Sequence, residues 1–379
     1  MNRLDNAGDR EPIPVLVPTL PSADELLPFL RRIDAAHWYS NHGPLWREFA
    51  YGLAGFLGDR AGRSDVGVTF TSSGTTAIEL ALRIRARPGA RFCLMPSFTF
   101  IASAHAVCNA GLIPFLVDVD EKSMVLTPAI AALALQEISE TPAAVLVISA
   151  FGAPPDVAAW EEFERTHGVP VVFDAAAALT SLDMIGNQPL CVSLHATKVF
   201  GIGEGGAIIS ADPALIARTT AMTGFGFGPG AGSRVSEMRG GNYRISEYAA
   251  AVGLATLAGI ERKIAMLKTL GGAYASGLRN GPVRLQEGAG EQWVTMTLNV
   301  ILPPDQVEET LARLDEERVE WRRWWGLGCH THPAFADLPS ADLGTTRDLA
   351  PRVIGVPFHA RLTPEQIARA CACLTGGLS

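Results

Sequence analysis

From about residue 65 the chain alternates short β-branched apolar runs with longer stretches whose apolar residues return every three or four positions. The runs at 66–70, 91–95, 114–119, 144–149, 169–173, 190–194 and 206–210 read as strands. Between them, 75–85 sets Ala77, Leu80, Ala81 and Ile84 on one helical face, and 99–110 and 157–167 repeat that spacing. Strands alternating with helices predict crossover units, hence an α/β domain with a mostly parallel seven-stranded sheet sandwiched by helices.

After a helix predicted at 246–257 the pattern changes: a helix at 259–277, a strand-like run at 293–302, and helices at 305–317 and 363–374. This predicts a division into a large domain with an N-terminal arm, 1–257, and a smaller α+β domain, 258–379. The stretch 224–232, "GFGFGPGAG", reads as a flexible glycine-rich loop.

Composition narrows the function. Of 379 residues 48% are hydrophobic and 18% charged, with 39 acidic against 31 basic residues and a net charge of −8. No dense basic stripe is present, so nucleic acid is not an expected partner. The six cysteines (93, 108, 191, 329, 371 and 373) form no CxxC and no Cys/His set at metal-ligand spacing, so no metal is expected. They fit buried thiols in a reducing cytoplasm. The polar opening residues and the lack of any apolar stretch of 18 residues argue against secretion and membrane insertion.

Four stretches carry candidate chemistry. In "TSSGTTAIELAL" a strand ends, Ser73-Gly74-Thr75 turns and a helix begins, which offers free N–H groups to a phosphate or is a plain N-cap. In "VVFDAAAALTS" a strand delivers Asp174 at its C-terminal end, where ligands of open α/β sheets bind. Such a carboxylate can hold a pyridinium N–H or cap a helix. In "SLHATKVFGIGEGGAIIS" Lys198 comes after a strand and precedes Gly201, Gly203, Gly205 and Gly206. A lysine desolvated there becomes nucleophilic towards an aldehyde, whereas most lysines are simply exposed. "PSFTFIASAHAV" brings Phe98 and Phe100 to the same rim, for stacking on a planar ring or for the core. Further on, "WRRWWGLGCHTHPAF" (321–335) concentrates three of the seven tryptophans and two of the eight histidines, as a pocket lining or as a packed cover.

The order phosphate turn, aromatic, carboxylate, lysine resembles the DegT-like sugar aminotransferases, which are fold-type-I pyridoxal-phosphate enzymes. The resemblance extends over nearly the whole chain, including "PSADELLPFLRRIDAAHWYSNHGPLWREFA" and "GGNYRISEYAAAVGLATL". It implies an aspartate-aminotransferase-like fold and pyridoxal 5'-phosphate as cofactor, cycling with pyridoxamine 5'-phosphate. It also implies that Lys198 bonds the cofactor aldehyde and that Asp174 keeps the pyridine nitrogen protonated. Gly74, Thr75 and Ser193 match phosphate-binding positions, Phe100 the residue stacked on the ring, and Ala176 its other face. Asn242 matches an asparagine that reaches the phosphate of a neighbouring subunit, which implies a homodimer with shared sites. Asn41, Arg244 and His330 lie in stretches that the family places near its pocket.

The implied reaction moves an amino group from an amino acid, glutamate first among them, to a keto-deoxysugar nucleotide. Two other readings stand beside it: dehydration of a deoxysugar, against which the retained Lys198 speaks, and a non-catalytic regulatory or carrier protein. One departure bears on both. The family reads "DAAQ" or "DAAH" where this chain has Ala177, so water or another group must meet the 3-hydroxyl of the cofactor.

Overall fold

Each apolar run must satisfy its backbone inside a core, and lateral pairing with the other runs is how it does so. The computed structural model describes residues 11–227 and 235–377; part of the expected glycine-rich loop therefore lies outside the described residues. The chain enters through α1 (Ala23–Ala36) and α2 (Pro44–Ala61). The sheet units come next: β1 (Gly67–Thr71), α3 (Gly74–Arg85), β2 (Phe92–Pro96), α4 (Ala102–Asn109), β3 (Ile113–Val117), α5 (Pro128–Glu137) and β4 (Ala144–Ile148). Then come α6 (Val157–His167), β5 (Val171–Asp174), β6 (Leu190–Ser193), β7 (Gly206–Ser210) and α7 (Pro213–Thr223).

The seven strands lie in the order β1-β7-β6-β5-β4-β2-β3. From β3 to β6 all pairs are parallel, while β7 runs antiparallel to both its neighbours. The mostly parallel sheet expected from the sequence is therefore present, with its C-terminal strand ends on one rim.

Beyond it, α8 (Glu247–Leu278) leads to β8 (Arg284–Leu285), β9 (Leu298–Ile301), α9 (Val307–Glu316), α10 (Gly344–Leu349), β10 (Val353–Val356) and α11 (Pro364–Thr375). β8, β9 and β10 form a separate antiparallel sheet.

Three expected helices differ from those observed, and the run at 293–302 is a strand only over Leu298–Ile301. The helices read at 246–257 and 259–277 are one helix of 32 residues. A glycine such as Gly259 costs a helix interior about 1 kcal/mol, and packing along α8 outweighs that: Gly253 lies so close to the Phe49 ring of α2 that it has no room for a Cβ. The helix read at 99–110 begins only at Ala102, because the Thr99 N–H donates back to the Ser97 carbonyl and keeps 97–101 in turns. The start of α2 has its own device. Its N-cap is Gly43, which offers no side chain, and the buried Glu247 of α8 instead accepts from the Leu45 and Trp46 N–H groups at 2.7 and 3.0 Å. No helix among the described residues is long and apolar enough to cross a membrane.

Candidate active site

The site is built where the parallel strands end. After β1 the chain turns at Ser72-Ser73, and Ser73 caps α3 by accepting from the Thr76 N–H at 3.1 Å. Gly74 opens the helix against β6, where a Cβ would stand 2.9 Å from that of Ser193; at Gly206 of β7 a Cβ would run into the Ser73 carbonyl. These close approaches draw the first turn of α3 onto the sheet. The N–H groups of Gly74 and Thr75 have no acceptor among the described residues, so the helix terminus presents free donors and the positive end of its dipole.

Asp174 is the last residue of β5 and is 5% exposed. Burial raises its pKa; two donors and a cation oppose that. Ser103 Oγ donates to Oδ2 at 2.6 Å and the Ala176 N–H to Oδ1 at 3.1 Å, while the Lys198 charge acts from across the cavity. Thr99 Oγ1 lies 3.2 Å from Ser103 Oγ and fixes that serine in turn.

Lys198 sits in the connection from β6 to β7. The Leu194 N–H donates to the Gly205 carbonyl, Ala196 to Gly203 and Lys198 to His195, at 2.7 to 2.9 Å, so the loop folds tightly on itself. Burial pulls the Lys198 ammonium down from 10.5 to about 8, and the Asp174 carboxylate opposes the fall. The share of free amine near neutral pH, the form that attacks a carbonyl, is therefore well above that of an ordinary lysine.

These groups line one cavity of about 450 Å³. Phe100, 55% exposed, and the small Ala176 and Ala177 all line it. Met296, Thr297, Arg322, Trp324 and Trp325 come from the second sheet and its loops and reach the same cavity. The tryptophan cluster does both things its sequence allowed: Trp324 and Trp325 line the space, and Trp325 stacks on Phe151 with centroids 3.8 Å apart.

Of the residues singled out in the sequence, Gly74, Thr75, Phe100, Asp174, Ala176, Ser193 and Lys198 meet in this cavity. Asn41, Asn242, Arg244 and His330 do not line it. Asn41 is an exposed turn residue with φ 62° between α1 and α2. Asn242 is exposed in a bridge to Gly224, and the Arg244 guanidinium lies 5.3 Å from the centroid of Phe225. His330 is tied to Ser97 Oγ through Nδ1 at 2.8 Å.

Sequence reasoning missed Ser103, Ser149, His195 and Arg322, all of which line the cavity. Ser103 had a signal, since it stands one helical turn after Thr99 in an otherwise apolar stretch. Ser149 had one too, because it comes directly after the last residue of β4, much as the alanine pair comes after Asp174. Arg322 had none, because only the packing of the second sheet brings it near.

This donor set fits pyridoxal phosphate: unpaired N–H groups for a phosphate, a buried carboxylate for a pyridinium and a desolvated amine for an aldehyde. The fold and the site together define an aminotransferase. A model of the DegT/DnrJ/EryC1/StrS aminotransferase family matches residues 22–375, and the chain belongs to that family. Protein Rv3402c of Mycobacterium tuberculosis is 31% identical over 99% of this chain and 92% of its own length. The dTDP-4-amino-4,6-dideoxy-D-glucose transaminase of Escherichia coli is 28% identical over 96% of this chain and 98% of its own. A Bacillus cereus protein classed with PLP-dependent aminotransferases superposes with a TM-score of 0.88 at 29% identity, covering 96% of this chain and 100% of its own.

Proposed function

We propose that this chain is a pyridoxal-phosphate-dependent transaminase that carries an amino group from an amino acid, glutamate first, to the keto carbon of a nucleotide-linked deoxysugar. One observation carries the reading: a lysine brought to about 8 by burial faces a buried carboxylate in a cavity that also holds the free N–H groups of a helix terminus. The sugar class is taken from the Escherichia coli relative, whose name specifies a dTDP-linked sugar.

The cofactor, when bound, supplies the electron sink for breaking a C–H bond next to nitrogen. The protein supplies the rest. Gly74, Thr75 and Ser193 would hold the phosphate, Asp174 would keep a proton on the ring nitrogen, and Phe100 and Ala176 would bound the ring. Lys198 would hold the aldehyde end and, as a free amine, would be placed to carry a proton to and from the carbon next to the donor nitrogen. Arg322 and the two tryptophans close the cavity from the second sheet and limit water.

The same reading takes the active unit to be a homodimer in the cytoplasm. Asn242 reaches the cofactor phosphate of the neighbouring subunit in it, Asn41 and Arg244 lie near the pocket, and residues 1–257 and 258–379 act as its large and small domains, with α8 running across the division. Exposed aromatic residues on the same side of the chain support the dimer: Trp38, Tyr39 and Tyr248 are 45, 47 and 48% exposed, and Tyr39 and Tyr248 stack at 6.3 Å.

Borohydride reduction and then peptide mapping is the direct test, with a pyridoxyl adduct expected on Lys198. An adduct elsewhere, or none, ends the reading. A panel of nucleotide keto-sugars with glutamate then identifies the acceptor, and no amination of any of them would leave the sugar assignment without support.

A further inference from the structure

Ser149 comes directly after the last residue of β4. Its N–H donates to the Asp174 carbonyl at 2.9 Å, so the two residues are neighbours across the parallel pair of β4 and β5. It lines the cavity, is 5% exposed, and its Oγ is buried without a hydrogen-bond partner among the described residues. Buried hydroxyls are almost always bonded, so an orphan in a cavity wall points to a ligand atom.

Strand order indicates which atom. The phosphate cradle lies where Gly74 meets Ser193, at the end of β6; Asp174 ends β5, the next strand; Ser149 lies just past β4, one strand further. On the ring of pyridoxal phosphate the phosphate arm and the 3-hydroxyl flank the aldehyde carbon on opposite edges, and the nitrogen lies across the ring. With the nitrogen at Asp174 and the arm towards β6, the hydroxyl edge faces β4. Ala177, which also lines the cavity, brings only a methyl group there.

We propose that Ser149 donates its hydroxyl proton to the 3-oxygen of bound pyridoxal phosphate, in the role left open at Ala177. The contact requires a rotamer that turns the now buried Oγ into the cavity. The inference rests on the reading that the cavity holds this cofactor. Its consequence is a tuned proton: the 3-oxygen accepts from the nitrogen that Lys198 contributes, and a second donor on that oxygen weakens its hold. Removing the serine hydroxyl must therefore raise the pH at which that proton leaves.

The test compares wild type, Ser149→Ala and Ser149→Thr, each loaded with pyridoxal phosphate. Titration of the visible band in Ser149→Ala should show the midpoint raised by about 0.5–1 pH unit, from the usual worth of one hydrogen bond. Equilibrium dialysis should show its affinity for the cofactor lowered about 2- to 10-fold, and Ser149→Thr should stay near wild type in both. With 3-deoxypyridoxal 5'-phosphate, which lacks the oxygen, Ser149→Ala and wild type should bind equally. Adding Ala177→Gln to Ser149→Ala should move the midpoint back. An unchanged midpoint, or an affinity loss of the same size for both ligands, overturns the assignment. If borohydride still traps the cofactor on Lys198 in those proteins, only the role of Ser149 falls; if wild type traps none, the cofactor reading falls first.

Discussion

The floor of the cavity and the rim around Arg244 use the same three kinds of side chain: a cation, a carboxyl or amide, and an aromatic ring. On the floor these are Lys198, Asp174 and Phe100; on the rim they are Arg244, Asn242 and Phe225. Asp174 is buried at the end of β5 and Lys198 is half-buried in the loop that follows β6, and desolvation moves the lysine to about 8 and raises the aspartate. The rim's arginine rests on an aromatic face, where partial burial lowers it too but leaves a guanidinium charged, and Asn242 is exposed. Residue type therefore does not make a reactive group. Desolvation does, because it is charge in a low-dielectric site that shifts a pKa.

The largest effect belongs to the floor. Lys198→Ala should lower transamination by about 10³-fold or more, since it removes nucleophile and proton carrier together; steady-state kinetics at saturating cofactor measures it, and a loss below tenfold would break the contrast. The rim is tested by subunit mixing. On the proposed dimer with shared sites, Lys198→Ala and Asn242→Ala proteins, each impaired alone, should recover activity as hybrids, because one of the two sites would then carry neither change. If each subunit holds a complete site, the hybrids stay impaired.

Ser103→Ala sharpens the floor itself. Losing a hydrogen bond to a carboxylate is worth about 1.5–3 kcal/mol, hence about 10- to 100-fold in kcat/KM if Asp174 must stay ionised. Its distinguishing mark is the acid limb of the pH profile, which should move up because Ser103 is a group that lowers the Asp174 pKa. A purely structural serine would lower activity without moving that limb.

The lysine gives a pH signature in the cofactor-free protein. Folded, Lys198 loses its proton near pH 8, whereas in the unfolded chain it keeps it to about 10.5. Between these values the unfolded chain binds more protons, so this group adds stability as pH rises through the window. Cofactor attachment, monitored by the growth of its visible band, should accelerate up to about pH 8 and level off above it. Asp174→Asn should move that plateau to lower pH, because the aspartate raises the lysine pKa. The smallest effect lies behind the rim: Glu247→Gln, which weakens the cap on α2, should cost about 1–2 kcal/mol in denaturant unfolding and leave borohydride trapping intact.

The chemistry of the floor was legible because it is local. Each group stands at the end of a strand or within a few residues of it, and an apolar run leading into a turn and one polar side chain is a pattern along the chain. The union of 246–257 with 259–277 was not legible, since a glycine reads as a break until the partner surface on α2 is known. His330 shows the same limit: its surroundings in sequence suggested a pocket, and a bond to Ser97 more than two hundred residues earlier holds it elsewhere.

By itself the sequence determined the α/β class, the seven strands, and the order of phosphate turn, aromatic, carboxylate and lysine. These depend on side-chain periodicity and on the few residues just past each strand end, both short-range properties. Only the tertiary structure decided that β5 lies between β6 and β4, that Trp324 and Trp325 line the same cavity, and that the Ser149 hydroxyl, in the same cavity as Ala177, has no partner among the described residues. Strand order and burial come from contacts between distant segments, and it is burial that turns an ordinary lysine, aspartate or serine into a group with unspent capacity to bind.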